Sequence, residues 1–148
     1  MNHIWTVLCQ KSAIDFEANL VSLFNCLEEI SVVVDKVNVG TKGLVVPVEM
    51  QLVSYWTVID PGRENWLEFR GELVDPQGQV INSFANQFSV AKDVWRFRNR
   101  TNIQGLLVTD SGRYFFRMSQ KTETSGGFQV VAEVPLDIKL SYKLLDNK

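Results

Sequence analysis

The sequence predicts an all-β protein, an antiparallel sandwich of eight or nine strands formed as a single domain over residues 1–148. Apolar and polar residues alternate at period two in most segments between turns, the spacing of a strand with one buried face. Clusters of Asp, Pro, Gly and Asn recur at short intervals, as they do between the strands of all-β folds. No strand–helix–strand alternation asks for a parallel sheet with helical crossovers.

His3–Cys9 is apolar on both faces, with Trp5, Val7 and Cys9 on one and Ile4 and Leu8 on the other. That suits a strand covered on both sides or lying at a terminus. Ala13–Ile30 reads two ways. Phe16, Leu20, Leu23, Phe24 and Leu27 fall at helical spacing among good helix formers. Equally, Asp15–Asn19 serves as a connection and Leu20–Phe24 as a short strand. Val32–Val34 is β-branched strand. Asn38, Gly40, Thr41, Lys42 and Gly43 mark a loop.

Pro47–Thr57 is a long strand, with Met50, Leu52 and Trp56 on one face and Glu49, Gln51, Val53 and Tyr55 on the other. Asp60-Pro61-Gly62 is a turn, because proline presets φ and glycine takes the left-handed position. Trp66–Val74 alternates clearly and leads through the tight turn Asp75-Pro76-Gln77-Gly78 into Gln79–Val90, its hairpin partner. Phe84, Phe88 and Val90 have the parity to face the core.

In Val94–Gln104, Trp95, Phe97 and Ile103 alternate against Arg96, Arg98, Arg100, Asn102 and Gln104. This parity places Trp95 and Phe97 in the core. Thr122–Gly127 is a polar loop and Phe128–Val134 a strand. Pro135 breaks that strand, as at an edge or a switch between sheets. Leu136, Ile138, Leu140 and Tyr142 then alternate in a last strand, before a loose tail at Asp146–Lys148.

The surrounding strands hang on Thr109–Met118. Asp110, Ser111 and Gly112 are turn residues, and Tyr114, Phe116 and Met118 share one face of the strand that follows. The D-x-G-x-Y pattern of Asp110, Gly112 and Tyr114 resembles the tyrosine corner of immunoglobulin-like sandwiches, whose hydroxyl bonds back to the backbone upstream. The expected fold is therefore an immunoglobulin-like antiparallel β-sandwich.

Three blocks extend the likeness along most of the chain. They are a short strand ending in Cys9 with Ser22, Leu23 and Ile30 after it, the Asp75–Gly78 hairpin, and Gly105, Leu106, Gly112 and Tyr114. In these the chain resembles an uncharacterised bacterial family of unknown function. The resemblance implies the immunoglobulin-like sandwich and favours a strand at Leu20–Phe24. It carries no activity or catalytic residue.

A chain of 148 residues with 45% apolar and 22% charged residues is ordinary for a globular domain. At this length folding buries roughly 68–70% of the unfolded surface, so the core needs no disulfide or metal. The formal charge of −2 and isoelectric point of about 5.4 provide no broad basic field for nucleic acid or anionic membranes. No segment approaches the roughly 18 apolar residues of a membrane helix. The N-terminus lacks the basic and apolar runs of a signal peptide. A cytoplasmic protein with reduced Cys9 and Cys26 is expected, a Cys9–Cys26 bridge being the alternative in an exported chain.

Chemistry-bearing residues are few. His3 is the only histidine and lies near a terminus, so it reads as incidental. Cys9 and Cys26 read as small hydrophobes. Glu28 and Glu29 are consecutive strand residues on opposite faces, and hence no dyad. Gly126-Gly127 has no following helix to make a phosphate cradle. No cofactor or metal site is expected.

Arg96, Arg98 and Arg100 are the exception. Four basic residues and Asp93 leave the run from Lys92 to Arg100 at +3, and alternation puts the three guanidinium groups on one face. They read as an anion-binding stripe or as cross-strand partners of an acidic row such as Glu68 and Glu72. The mildly acidic whole favours the pairing. The expected function is a non-enzymatic protein-interaction or binding module acting through loops or a strand edge. Anion or nucleic-acid binding through the stripe is the alternative, and an enzyme ranks last. The expected partner is another protein, not a membrane and not nucleic acid.

Overall fold

The computed structural model describes residues 1–35 and 43–143. Among these there is no helix, and nine strands form: β1 Asn2–Asp15, β2 Leu20–Cys26, β3 Glu29–Asp35, β4 Leu44–Thr57, β5 Asn65–Val74, β6 Val80–Val90, β7 Arg96–Val108, β8 Gly112–Thr122 and β9 Gln129–Lys143. They build a four-stranded sheet in the order β2-β1-β4-β7 and a five-stranded sheet in the order β3-β9-β8-β5-β6. Alternate residues of both sheets meet in one core. Leu8, Met50, Leu52 and Trp56 come from the first, and Leu67, Phe69, Tyr114, Phe116, Met118, Leu136 and Ile138 from the second. The loop predicted at Asn38, Gly40, Thr41 and Lys42 and the tail Asp146–Lys148 lie outside the described residues.

The ambiguous Ala13–Ile30 holds no helix: it is the end of β1, a turn, β2 and the start of β3. β1 continues to Asp15 and pairs with β2 from Asp15↔Leu20 to Cys9↔Cys26. The side chains at helical spacing are not a buried stripe: Phe16, Leu20 and Phe24 are 88%, 62% and 48% exposed. The turn is made by Asp15, whose Oδ1 accepts the Glu17 and Ala18 amides, and by Asn19 at φ 55°, a left-handed conformation that asparagine tolerates.

One ladder departs from the antiparallel expectation: β3 runs parallel to β9. β3 arrives from the other sheet through only Leu27 and Glu28. No hairpin ties its direction to that of its neighbour, as hairpins do for β5–β6 and β8–β9. Pro135 does not end its strand, since β9 passes through it. β3 begins pairing only at Asp137, so Pro135 lies where β9 is still an edge and a missing N–H breaks no ladder there. Pro47 is likewise placed where pairing lapses. Between Val46↔Leu106 and Glu49↔Gln104 the ladder shifts, with Pro47 and Val48 opposite Gly105 at φ 86°, a β-bulge.

Candidate functional site

The register of β4 and β7 pairs Arg96 with Thr57, Arg98 with Tyr55 and Arg100 with Val53. On the other side of β4, β1 sets Trp5 against Tyr55 and Val7 against Val53. The three arginines therefore share the outer face of the four-stranded sheet with Trp5 and Tyr55, while Trp56 and Phe97 point inward and touch ring to ring, centroids 5.5 Å apart.

The β1–β2 hairpin folds over this face. Arg98 donates from Nη1 to Asn19 Oδ1 at 2.8 Å and from Nη2 to the Asn19 carbonyl at 3.1 Å. Its guanidinium lies over the Tyr55 ring, 5.6 Å from the centroid, and Tyr55 stands 5.6 Å from Trp5. Arg100 donates to the Ser12 carbonyl at 3.3 Å. Ser12 Oγ donates to Gln51 Oε1 at 2.7 Å, and Gln51 Nε2 donates to Asn102 Oδ1 at 2.9 Å. This cover accounts for Val53, which has outward parity yet 0% exposure.

The acidic row does not pair with the stripe. Glu68 and Glu72 lie on β5 in the other sheet, in register with Lys121 and Arg117 of β8. Strand alternation places them on a face but cannot say which sheet each strand joins. Elsewhere arginines do meet carboxylates: Arg113 holds Asp137 through two bonds of 2.7 and 2.8 Å, and Arg117 holds Glu133 at 2.9 Å. Among the described residues Arg96, Arg98 and Arg100 have no carboxylate within ion-pair distance. Arg98 Nε is buried without an acceptor, and Arg96 is exposed.

Trp95 corrects its expected place in the core: it is 67% exposed. β7 begins only at Arg96, so Trp95 lies just past the end of the strand. The Val58 amide donates to the Trp95 carbonyl at 3.0 Å, in the register of the β4–β7 ladder, and the Asp93 amide to the Pro61 carbonyl at 2.8 Å. The indole is left outside. Asn19, Val94, Trp95 and Arg96 line a hollow of about 400 Å³. Sequence reasoning missed Asn19, Trp5, Tyr55 and Trp95 as members of this face. An outward Trp and Tyr beside alternating arginines was a readable signal for two of them. Asn19 had none, because it meets Arg98 across 79 positions.

The other singled-out residues lie elsewhere. His3 Nε2 contacts Thr6 Oγ1 at 2.8 Å, and Thr6 Oγ1 contacts Ser54 Oγ at 2.8 Å. Ser54 is wholly buried, so this chain of polar groups satisfies itself inside the sandwich. Burial lowers the His3 pKa, against a smaller opposing effect of the Trp5 backbone. Glu29 pairs with Lys139 at 2.8 Å. Cys9 is buried and Cys26 exposed. At the corner, the Tyr114 hydroxyl donates to the Asp110 carbonyl at 2.8 Å and accepts the Thr109 and Asp110 amides at 3.0 and 3.1 Å. A Cβ on Gly112 would meet Pro76 Cγ at 2.7 Å, so the corner packs on the Asp75 hairpin. Among the described residues no cluster of His, Cys, Asp and Glu could hold a metal. Among the described residues no helix is long and apolar enough to cross a membrane. No protein-family model matches the chain, and no curated protein matches it either.

Proposed function

We propose that this chain is a non-enzymatic protein-interaction module that docks an acidic segment of a partner protein on the arginine-bearing outer face of its four-stranded sheet. The observation that carries this reading is that, among the described residues, Arg96, Arg98 and Arg100 have no carboxylate within ion-pair distance, while Arg113 and Arg117 pair with acids. Arg98 and Arg100 are oriented by neutral oxygens of Asn19 and Ser12, which aim the guanidinium groups without cancelling their charge. Trp95, Trp5 and Tyr55 stand beside them, and Trp, Tyr and Arg are the residues most enriched at the energetic centres of interfaces. Carboxylates complement planar guanidinium groups well.

The net charge of −2 speaks against nucleic acid, since long-range steering of a polyanion needs a wider basic field. The hydroxyl chain of His3, Thr6 and Ser54 ends on a wholly buried Ser54, which speaks against its use in catalysis. The Tyr114 corner supports assignment to the immunoglobulin-like class, and with it the likeness to the bacterial family. Two free thiols support a cytoplasmic location.

The test is selection from a displayed random-peptide library, with labelled oligonucleotides at physiological salt as a second arm. The wild type should enrich peptides rich in Asp and Glu, and Arg96→Glu combined with Trp95→Ala should abolish that enrichment. Acidic enrichment that survives the double substitution, no enrichment at all, or oligonucleotide binding of micromolar strength would refute the reading.

A further inference from the structure

We propose that Cys9 and Cys26 are a redox-modification site, a thiol pair that a low-molecular-weight disulfide converts into a bridge between β1 and β2. The two residues are direct partners in the antiparallel ladder. The Leu27 amide donates to the Leu8 carbonyl at 2.9 Å, so the two backbones stay bonded just beyond this pair. Directly opposed residues of an antiparallel pair have Cα atoms about 4.5–5.5 Å apart. Disulfides span Cα separations of roughly 4.4–6.8 Å. That spacing falls within the range. A bridge therefore fits with little backbone movement. Both thiols are free.

Their exposure sets the order of events. Cys26 is exposed and Cys9 buried, so a soluble oxidant meets Cys26 first. The Cys26 thiolate attacks one sulfur of oxidised glutathione, breaking that S–S bond and releasing one glutathione, which takes up the proton Cys26 lost. The Cys9 thiolate then attacks the Cys26 sulfur of the mixed disulfide. The Cys9–Cys26 bond forms, and a second glutathione leaves with the Cys9 proton. Two protein thiols are oxidised, and one glutathione disulfide is reduced to two thiols. Burial pushes the Cys9 thiol up, so closure is the slow step. The bridge pins the hairpin that carries Ser12 and Asn19, and so stiffens one wall of the docking face. That consequence rests on the proposed function, and the bridge itself does not.

The 148-residue chain is incubated with oxidised glutathione and read by intact mass and non-reducing peptide mapping. The expected product has lost two hydrogens, links the Cys9 and Cys26 peptides within one chain, and reverts in reduced glutathione. Cys9→Ala should stop at the glutathione adduct on Cys26, and Cys26→Ser should take up no glutathione. A lasting adduct on Cys26 in the wild type, a Cys26–Cys26 link between chains, or an unchanged mass would overturn the proposal.

Discussion

The Trp56 indole N–H on β4 donates to Gln120 Oε1 on β8 at 2.9 Å, a hydrogen bond that crosses from one sheet to the other inside the core. Trp56 is 0% and Gln120 8% exposed. The same indole packs edge-on against Phe69 with centroids 4.9 Å apart. A buried donor that loses its acceptor bears its desolvation cost without compensation. Gln120→Leu is therefore expected to destabilise the fold by about 1–3 kcal/mol. Combined with Trp56→Phe, the loss should be clearly smaller than the sum of the two single losses. Urea denaturation of the four proteins in the cycle measures this, and strict additivity would show that the bond contributes nothing.

The Tyr114 hydroxyl serves two backbone amides and one carbonyl at once. Tyr114→Phe leaves the Thr109 and Asp110 amides without their acceptor, and the expected cost is about 1–3 kcal/mol. The denaturation midpoint should fall at an unchanged m-value, because the surface exposed on unfolding is the same. An unchanged midpoint would show that water replaces the hydroxyl freely.

His3 makes stability depend on pH. Burial holds its pKa below the usual 6.5, so below that pH the unfolded chain binds a proton that the folded chain resists. The contribution of neutral His3 is fully present above about pH 6.5 and is lost as pH falls towards the lowered folded value. The melting temperature should drop between about pH 7.5 and about pH 5.5, and His3→Gln should show a smaller drop over the same interval. Parallel curves for the two proteins would exclude His3 as the source.

Trp95 and Phe97 should part company on substitution. Trp95→Ala removes a 67% exposed side chain and should change stability by no more than about 0.5 kcal/mol. Phe97→Ala removes a ring packed against Trp56 and Phe88 and should cost up to about 3–5 kcal/mol. Thermal unfolding of the two variants checks this. A large loss from Trp95→Ala would return that residue to a structural role and weaken its place in the docking face.

The strands were legible because their causes are local. Period-two alternation in Trp66–Val74 and the Asp75–Gly78 turn depend on a few adjacent residues. The observed turn is held by Asp75 Oδ1 accepting the Gln77 and Gln79 amides at 3.0 and 2.8 Å. The D-x-G-x-Y corner is equally local, since the Tyr114 hydroxyl reaches back only to Thr109 and Asp110. Residues 13–30 were not settled this way, because the same apolar residues satisfy a helical and an extended period until the backbone finds a partner strand. Sequence determined that Arg96, Arg98 and Arg100 share a face. Only the tertiary structure decided what that face meets. Arg100 reaches Ser12 across 88 positions, Glu68 and Glu72 went to the other sheet, and Trp95 came to lie just past the end of β7 with its indole outside the core. Those outcomes depend on which strands become neighbours, and strand order is set by the closing of the whole core rather than by any one stretch of chain.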